Sequence, residues 1–407
     1  MDLDQLAALR TPEGSAALAA AARVAGGDPL AAAAALRSTG LPAGLASAAL
    51  TQAELRRRAV GKFGPAAAGM FLTRAGLEQA TRGVVAARRA ERLRAAGVRV
   101  LADLGCGLGA DALAAARAGI RVYGVEADPL TAAMAAANAE AAGLAELFTV
   151  ECGDATAFDV DRVDGVFCDP ARRKAGTGRR IFDPNAYSPP WDFVVGLAER
   201  VPHTVVKVAP GIDHALVPAG AEAEWVSVDG DLVEAALWCG ELAQVPRRAT
   251  LLRGKEGSPV NASGRGRVPC NQLTGSGDAE APVGPARRFL YDPDPAVVRA
   301  HLVAELAETL GATLADPSIA YLYADTPTPT PFARCLEVTD VLPFSLKRLR
   351  ALLRERRVGR VEILKRGSAL EPEKLRRDLR LTGDEAASLV LTRVAGAPTA
   401  LVCRPVG

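Results

Sequence analysis

A chain of 407 residues is longer than one ordinary core, so two or three domains are expected, and its net charge of +2 hides a partition. No apolar run reaches the roughly 18 residues that a membrane span needs. No charged n-region leads an apolar h-region at the N-terminus, and the seven cysteines include no C-x-x-C pair. A transmembrane protein, a disulfide scaffold and a zinc site are thereby argued against; reduced thiols, no metal and a cytoplasmic address are the expectation.

Residues 1–95 carry 13 basic and 7 acidic side chains, residues 96–245 carry 11 and 22, and residues 341–380 carry 13 and 5. An acidic middle between basic ends suits a protein that handles a polyanion, although solvated helix faces give the same counts.

Ala, Leu and Arg dominate residues 1–95, and "GGDP", "TGLPAG" and "KFGP" punctuate segments of helical length. This stretch is expected to be a helical N-terminal domain. From Val98 the rhythm changes to short apolar runs, "VRVLADL", "RVYGVE", "LFTVEC", "GVFCD" and "TVVKVA", alternating with helical stretches. Runs that are apolar on both faces predict an α/β core over 96–245, a parallel sheet covered by helices. "AEWVSV" and "LVEAALWC" follow one another without a helix between them, which predicts a closing antiparallel hairpin. Residues 246–286, rich in Gly, Pro, Ser and Asn, read as a linker or long loop, and 287–407 as an α+β C-terminal region.

"ADLGCGLGAD" lies where the first strand turns into the first helix. Gly105, Gly107 and Gly109 permit a tight turn and let backbone lie against a ligand. Gly105, Gly107 and Ala110 also satisfy the dinucleotide fingerprint G-x-G-x-x-A. Asp103 tilts the choice, because a carboxylate there opposes a pyrophosphate and suits a ligand with an ammonium group, such as S-adenosylmethionine. Glu126, 21 residues after Gly105 and followed by Ala127, is placed to accept both ribose hydroxyls, and Asp154 and Ala155 in "CGDATAF" to meet an adenine; the plainer alternatives are surface charge for Glu126 and a helix cap for Asp154. On these residues Val98–Gly240 resembles the class I S-adenosylmethionine-dependent methyltransferases. The resemblance implies a Rossmann-like seven-stranded sheet whose last strand is antiparallel, with the cofactor over the first and second strand ends.

In that family the fourth strand ends at the reaction centre, where Asp169-Pro170 stands in "DGVFCDPARRKAGTGRRIFDP". The pair resembles the D/N/S-P-P-aromatic motif of amino-methyltransferases acting on adenine or guanine, which implies that Asp169 and the Pro170 carbonyl hold an exocyclic amine in line. Ala171 and Arg172 replace the second proline and the aromatic. Arg172 can stack on a base or pair with a phosphate. Arg173 and Lys174 continue a basic loop with five Arg or Lys in Arg172–Arg180, and Tyr187 or Trp191 is a downstream candidate for the missing ring. Cys168 reads as a buried strand residue, although cysteine attack serves cytosine C5 methylation.

"MFLTRAGLEQAT", Met70–Thr81, resembles the segment before the core of trimethylguanosine synthases, which implies cofactor-covering roles for Phe71 and Thr73; a helix entry with Thr73 as N-cap is the plainer expectation. The last 75 residues or so, with "LKRLRALLRERRVGRVEILKRG" and "PEKLRRDL", resemble a THUMP-like domain, which implies RNA delivery over a basic surface of Arg356, Arg357, Arg360, Lys365 and Arg366. The expected function is methylation of a base nitrogen in structured RNA, tRNA or rRNA. The alternatives are a methyltransferase for a small molecule or protein, and a catalytically silent protein that binds cofactor and RNA.

Overall fold

The second and third helices begin where the sequence supplies an acceptor side chain followed by proline. In the computed structural model, which describes residues 1–170, 188–253 and 270–406, Thr11 accepts the N–H of Gly14 at 3.1 Å and Asp28 that of Ala31 at 2.8 Å. Pro12 and Pro29 stand at the first helical position, where no N–H is needed. Six helices result: α1 (Leu3–Leu9), α2 (Pro12–Val24), α3 (Pro29–Arg37), α4 (Ala43–Phe63), α5 (Arg74–Gln79) and α6 (Gly83–Ala95).

Contacts divide the chain into two units, one of Met1–Glu222, Glu234–Gln244 and Leu252–Pro269, the other of Ala223–Val233, Val245–Leu251 and Cys270–Gly407. After α6 the chain alternates through β1 (Val100–Leu104), α7 (Ala110–Arg117), β2 (Arg121–Glu126), α8 (Pro129–Ala141), β3 (Phe148–Cys152), β4 (Gly165–Cys168), α9 (Trp191–Arg200) and β5 (His203–Val208). These five strands pair in parallel, because each crossover carries a helix or a long connection. β6 (Glu222–Val228) and β7 (Asp231–Trp238) form the expected hairpin. Its two turn residues, Asp229 and Gly230, have φ of 53° and 87°, the left-handed pair that a tight hairpin needs. β7 pairs antiparallel with β5.

The strand order is β3-β2-β1-β4-β5-β7-β6, and β8 (Arg247–Leu252) and β9 (Cys270–Gly275) continue from β6, so the sheet has nine strands rather than the seven expected. Both extra strands fall within 246–286, where composition reads as linker or loop. β9 is a polar edge strand, "CNQLTG", with no fully buried residue, and such a strand leaves no apolar signal to read.

The second unit continues with β10 (Phe289–Pro293), α10 (Pro295–Arg299), α11 (Val303–Leu310), β11 (Thr313–Leu314), β12 (Leu322–Ala324), β13 (Ala333–Pro343), α12 (Leu346–Glu355), β14 (Val358–Lys365), α13 (Pro372–Leu379), β15 (Glu385–Val394) and β16 (Ala397–Pro405). The strands from β10 onward form a seven-stranded sheet in the order β11-β12-β10-β13-β16-β15-β14. Strand alternation splits the apolar side chains between two cores. Leu389, Leu391, Ala400 and Val402 pack with Leu349 and Leu353 of α12 and Leu375 and Leu379 of α13. Val390, Leu401 and Cys403 pack on the opposite face with Tyr321 and Tyr323.

Candidate active site

Parallel pairing brings the carboxyl ends of β1, β2 and β4 to one edge: Leu104 is in register with Val125 and with Cys168. The residues following those positions therefore meet. Beyond β1, the N–H groups of Gly105 and Cys106 both donate to the Val125 carbonyl, at 2.9 and 3.0 Å, which turns the glycine loop towards β2. Gly105 has φ of 85°, and a Cβ there would lie 3.1 Å from the carbonyl oxygen of Asp169. Gly109, with φ of 83°, starts α7 against Phe148, whose ring would meet a Cβ at 2.7 Å. Side chains are excluded at both positions by conformation and by space.

Asp103 is 1% exposed, and neither of its carboxylate oxygens has a hydrogen-bond partner. Burial pushes its pKa well up, with Asp111 and Asp169 adding repulsion and Arg89 and Lys207 opposing it. Glu126 spans two backbone donors: Oε2 accepts the N–H of Gly107 and Oε1 that of Asp128. Ala127 is exposed between them. Asp154 is exposed and accepts the N–H of Thr156 at 2.8 Å, capping a single 3-10 turn over Ala155–Ala157, and that bond lowers its pKa.

Phe71 and Thr73 reach this edge from outside the sheet. Phe71 is buried; its N–H donates to Asn138 Oδ1 at 2.6 Å and its carbonyl accepts Asn138 Nδ2 at 3.2 Å. The same Nδ2 donates to the Leu108 carbonyl at 3.0 Å, so one amide of α8 joins the Phe71 segment to the glycine loop. Thr73 caps α5 by accepting the N–H of Gly76 at 2.9 Å, and a Cβ on Gly76 would meet Leu108 Cδ1 at 2.6 Å. α5 thus lies directly on the loop.

Asp169 follows β4 and donates its N–H to the Leu104 carbonyl at 3.2 Å. Its Oδ2 accepts Lys207 Nζ at 2.6 Å. Pro170 is buried. Arg172, Arg173, Lys174 and Tyr187 lie outside the described residues. Trp191 opens α9 and is buried, as is Cys168, whose thiol is kept protonated by burial and by the carboxylates of Asp169 and Asp103. Among the described residues no group of three or more His, Cys, Asp or Glu is placed to hold a metal ion, and no helix is long and apolar enough to cross a membrane.

Several residues here escaped sequence reasoning. Asn138 sits in an alanine-rich helix and Lys207 in the apolar run "TVVKVA"; in each case one polar residue in an apolar setting was the signal. Arg89 of α6 pairs with Asp111 of α7 and Glu234 of β7; Arg89 and Glu234 are buried and Asp111 is partly so. Burial opposes the Arg89 charge, but the two carboxylates outweigh it and raise its pKa. The same guanidinium keeps Asp111 ionised against burial, so its pKa is lowered.

In the second unit, four of the five basic residues expected from sequence have partners at the surface, and Arg360 is exposed with no ion pair among the described residues. Arg356 pairs with Asp340, Arg357 with Asp384 and Arg366 with Asp292, and Lys365 donates to the Leu370 carbonyl. The residues that sequence passed over, Lys347, Arg348 and Arg354 of α12 and Lys374 and Arg377 of α13, are exposed and form no ion pair among the described residues.

Comparison with known proteins gives matches along most of the chain. Residues 101–173 match a methyltransferase-domain family, residues 333–405 a family described as THUMP domain-like, and residues 2–59 a domain of unknown function. An uncharacterized S-adenosylmethionine-dependent methyltransferase of Mycobacterium tuberculosis H37Rv is 37% identical over 366 residues, covering 86% of this chain and 95% of that protein. Its counterpart in strain CDC 1551 matches to the same extent. The crystal structure of a methyltransferase candidate from Porphyromonas gingivalis W83 aligns with a TM-score of 0.73 at 20% identity over 100% of both chains, which shows a shared fold.

Proposed function

Because the chain belongs to the S-adenosylmethionine-dependent methyltransferases, we propose that it methylates a base nitrogen in structured RNA, a tRNA or an rRNA. S-adenosylmethionine supplies an activated methyl group when bound. The residues present fit it: the two unpartnered oxygens of Asp103 suit a cationic ligand, and the Gly105–Gly109 turn leaves backbone open to close approach. Glu126, Ala127, Asp154 and Ala155 would hold its nucleoside, with Phe71 and Thr73 on the covering segment.

The observation that carries the acceptor reading is the nearness of Asp169 to the glycine loop, its carbonyl oxygen 3.1 Å from where a Gly105 Cβ would stand. An acceptor held there lies against the cofactor loop. The Asp169 carboxylate and the Pro170 carbonyl accept the hydrogens of an exocyclic amine and aim its lone pair, which is the main task in an in-line displacement. Arg172, Arg173 and Lys174 would engage the base or its phosphates, with Tyr187 or Trp191 as aromatic neighbours. RNA as partner is supported by the THUMP domain-like match over 333–405 and by the exposed cations of α12 and α13. A cytoplasmic setting goes with that partner. The test is transfer of labelled methyl to total RNA from a strain lacking the gene. Label entering that RNA, absent with wild-type RNA and with Asp169→Ala enzyme, is the expected result; no label in any RNA despite cofactor binding refutes the reading.

A further inference from the structure

Lys207 belongs to β5, and its side chain is only 7% exposed. An ammonium group so placed needs partners. Nζ donates to Asp169 Oδ2 at 2.6 Å and to the Gln79 carbonyl at 3.4 Å. Gln79 ends α5, and the two preceding carbonyls, Leu77 and Glu78, accept Lys62 Nζ at 2.6 and 3.1 Å. Two lysines from different elements thus meet the carbonyl end of α5, where a helix is electrically negative. One of them is shared with Asp169. The rest of α5 is held independently, by the Thr73 cap and by the Gly76 contact with Leu108.

We propose that Lys207 is a positioning residue for methyl transfer, fixing the Asp169 carboxylate through Oδ2, leaving Oδ1 for a hydrogen of the acceptor, and tying that carboxylate to the end of α5. The assignment rests on the reading of Asp169 as the acceptor-facing group. Lys207 acts through Asp169 and does not touch the acceptor itself. A free Asp169 side chain would rotate, and misplacement by about 1 Å costs on the order of 100-fold in rate.

Two measurements test this. In turnover with RNA, Lys207→Met is expected to lower kcat about 100-fold. KM and S-adenosylhomocysteine affinity stay within about threefold, because Lys62, Thr73 and Gly76 still hold α5. Lys207→Arg, which keeps the charge, recovers at least about a tenth of the rate. In thermal melting, Asp169→Asn alone lowers Tm by stranding a buried ammonium, and adding Lys207→Met to that chain recovers most of the loss. Lys207→Met with kcat near that of the wild type, or strictly additive losses in Tm, overturns the proposal. A wild-type enzyme that methylates no RNA refutes the acceptor reading instead, and the melting cycle then decides by itself whether Lys207 holds Asp169.

Discussion

The carboxylate of Glu126 accepts the N–H of Gly107 at 3.0 Å, which ties the end of β2 to the middle of the glycine loop. With the second bond from Asp128 at 2.9 Å, the side chain is fixed before any ligand arrives. Glu126→Ala removes both anchors and is expected to weaken S-adenosylhomocysteine binding. Hydrogen bonds to a charged group are worth about 1.5–3 kcal/mol, so the loss is about 10- to 100-fold. Titration calorimetry measures it, and an unchanged Kd would remove Glu126 from the cofactor site.

Asp103 imposes an opposite pair of effects. As an acid whose folded pKa is raised above the ordinary aspartate value of 3.8, it binds protons more tightly in the folded state. Stability is therefore fully present below that value and is lost as pH rises through the folded pKa. Asp103→Asn is expected to melt at a higher temperature than the wild type at pH 7 and to bind cofactor more weakly, and wild-type binding to a cationic ligand should strengthen as pH rises. Melting curves and calorimetry on the two chains read both effects. A destabilised Asn variant with unchanged affinity would mean that Asp103 is a structural residue.

Asn138→Leu leaves the Phe71 N–H, the Phe71 carbonyl and the Leu108 carbonyl without their partner in a buried place. Unsatisfied groups of this kind cost about 2–4 kcal/mol together. Chemical denaturation should show that loss, and cofactor affinity should fall with it because the covering segment is no longer tied to the loop. A variant of wild-type stability would deny Asn138 its bridging role.

Arg348, Arg354, Lys374 and Arg377 carry the expectation for RNA. Changing all four to Glu should abolish tight tRNA binding, and changing them to Ala should flatten the salt dependence of log K by about 3, since each phosphate contact contributes roughly 0.7–0.9. Cofactor affinity should not move. Equal salt slopes for wild type and variant would place the RNA surface elsewhere.

The fold was legible because it depends on patterns the chain repeats, apolar runs between helices with glycines after the first strand. Register brings the ends of β1, β2 and β4 to one edge, and with them the candidates Asp103, Glu126 and Asp169. Lys207, Asn138 and Arg89 could not be read from the sequence, since their meaning lies in partners 38, 67 and 145 positions away. The pairing of the basic surface was hidden for a related reason. Charge density in sequence picked out Arg356, Arg357 and Arg366, but strand and helix packing delivered an acid to each of them, leaving other cations to face solvent.

Base methylation of RNA is tested most simply by locating the added methyl. RNA from a strain lacking the gene would be treated with enzyme and S-adenosylmethionine, digested to nucleosides and fragmented in a mass spectrometer. One methylated nucleoside whose extra methyl stays with the base after glycosidic cleavage is the expected result. A methyl that stays with the ribose, or label recovered only in protein or small molecules, would contradict it.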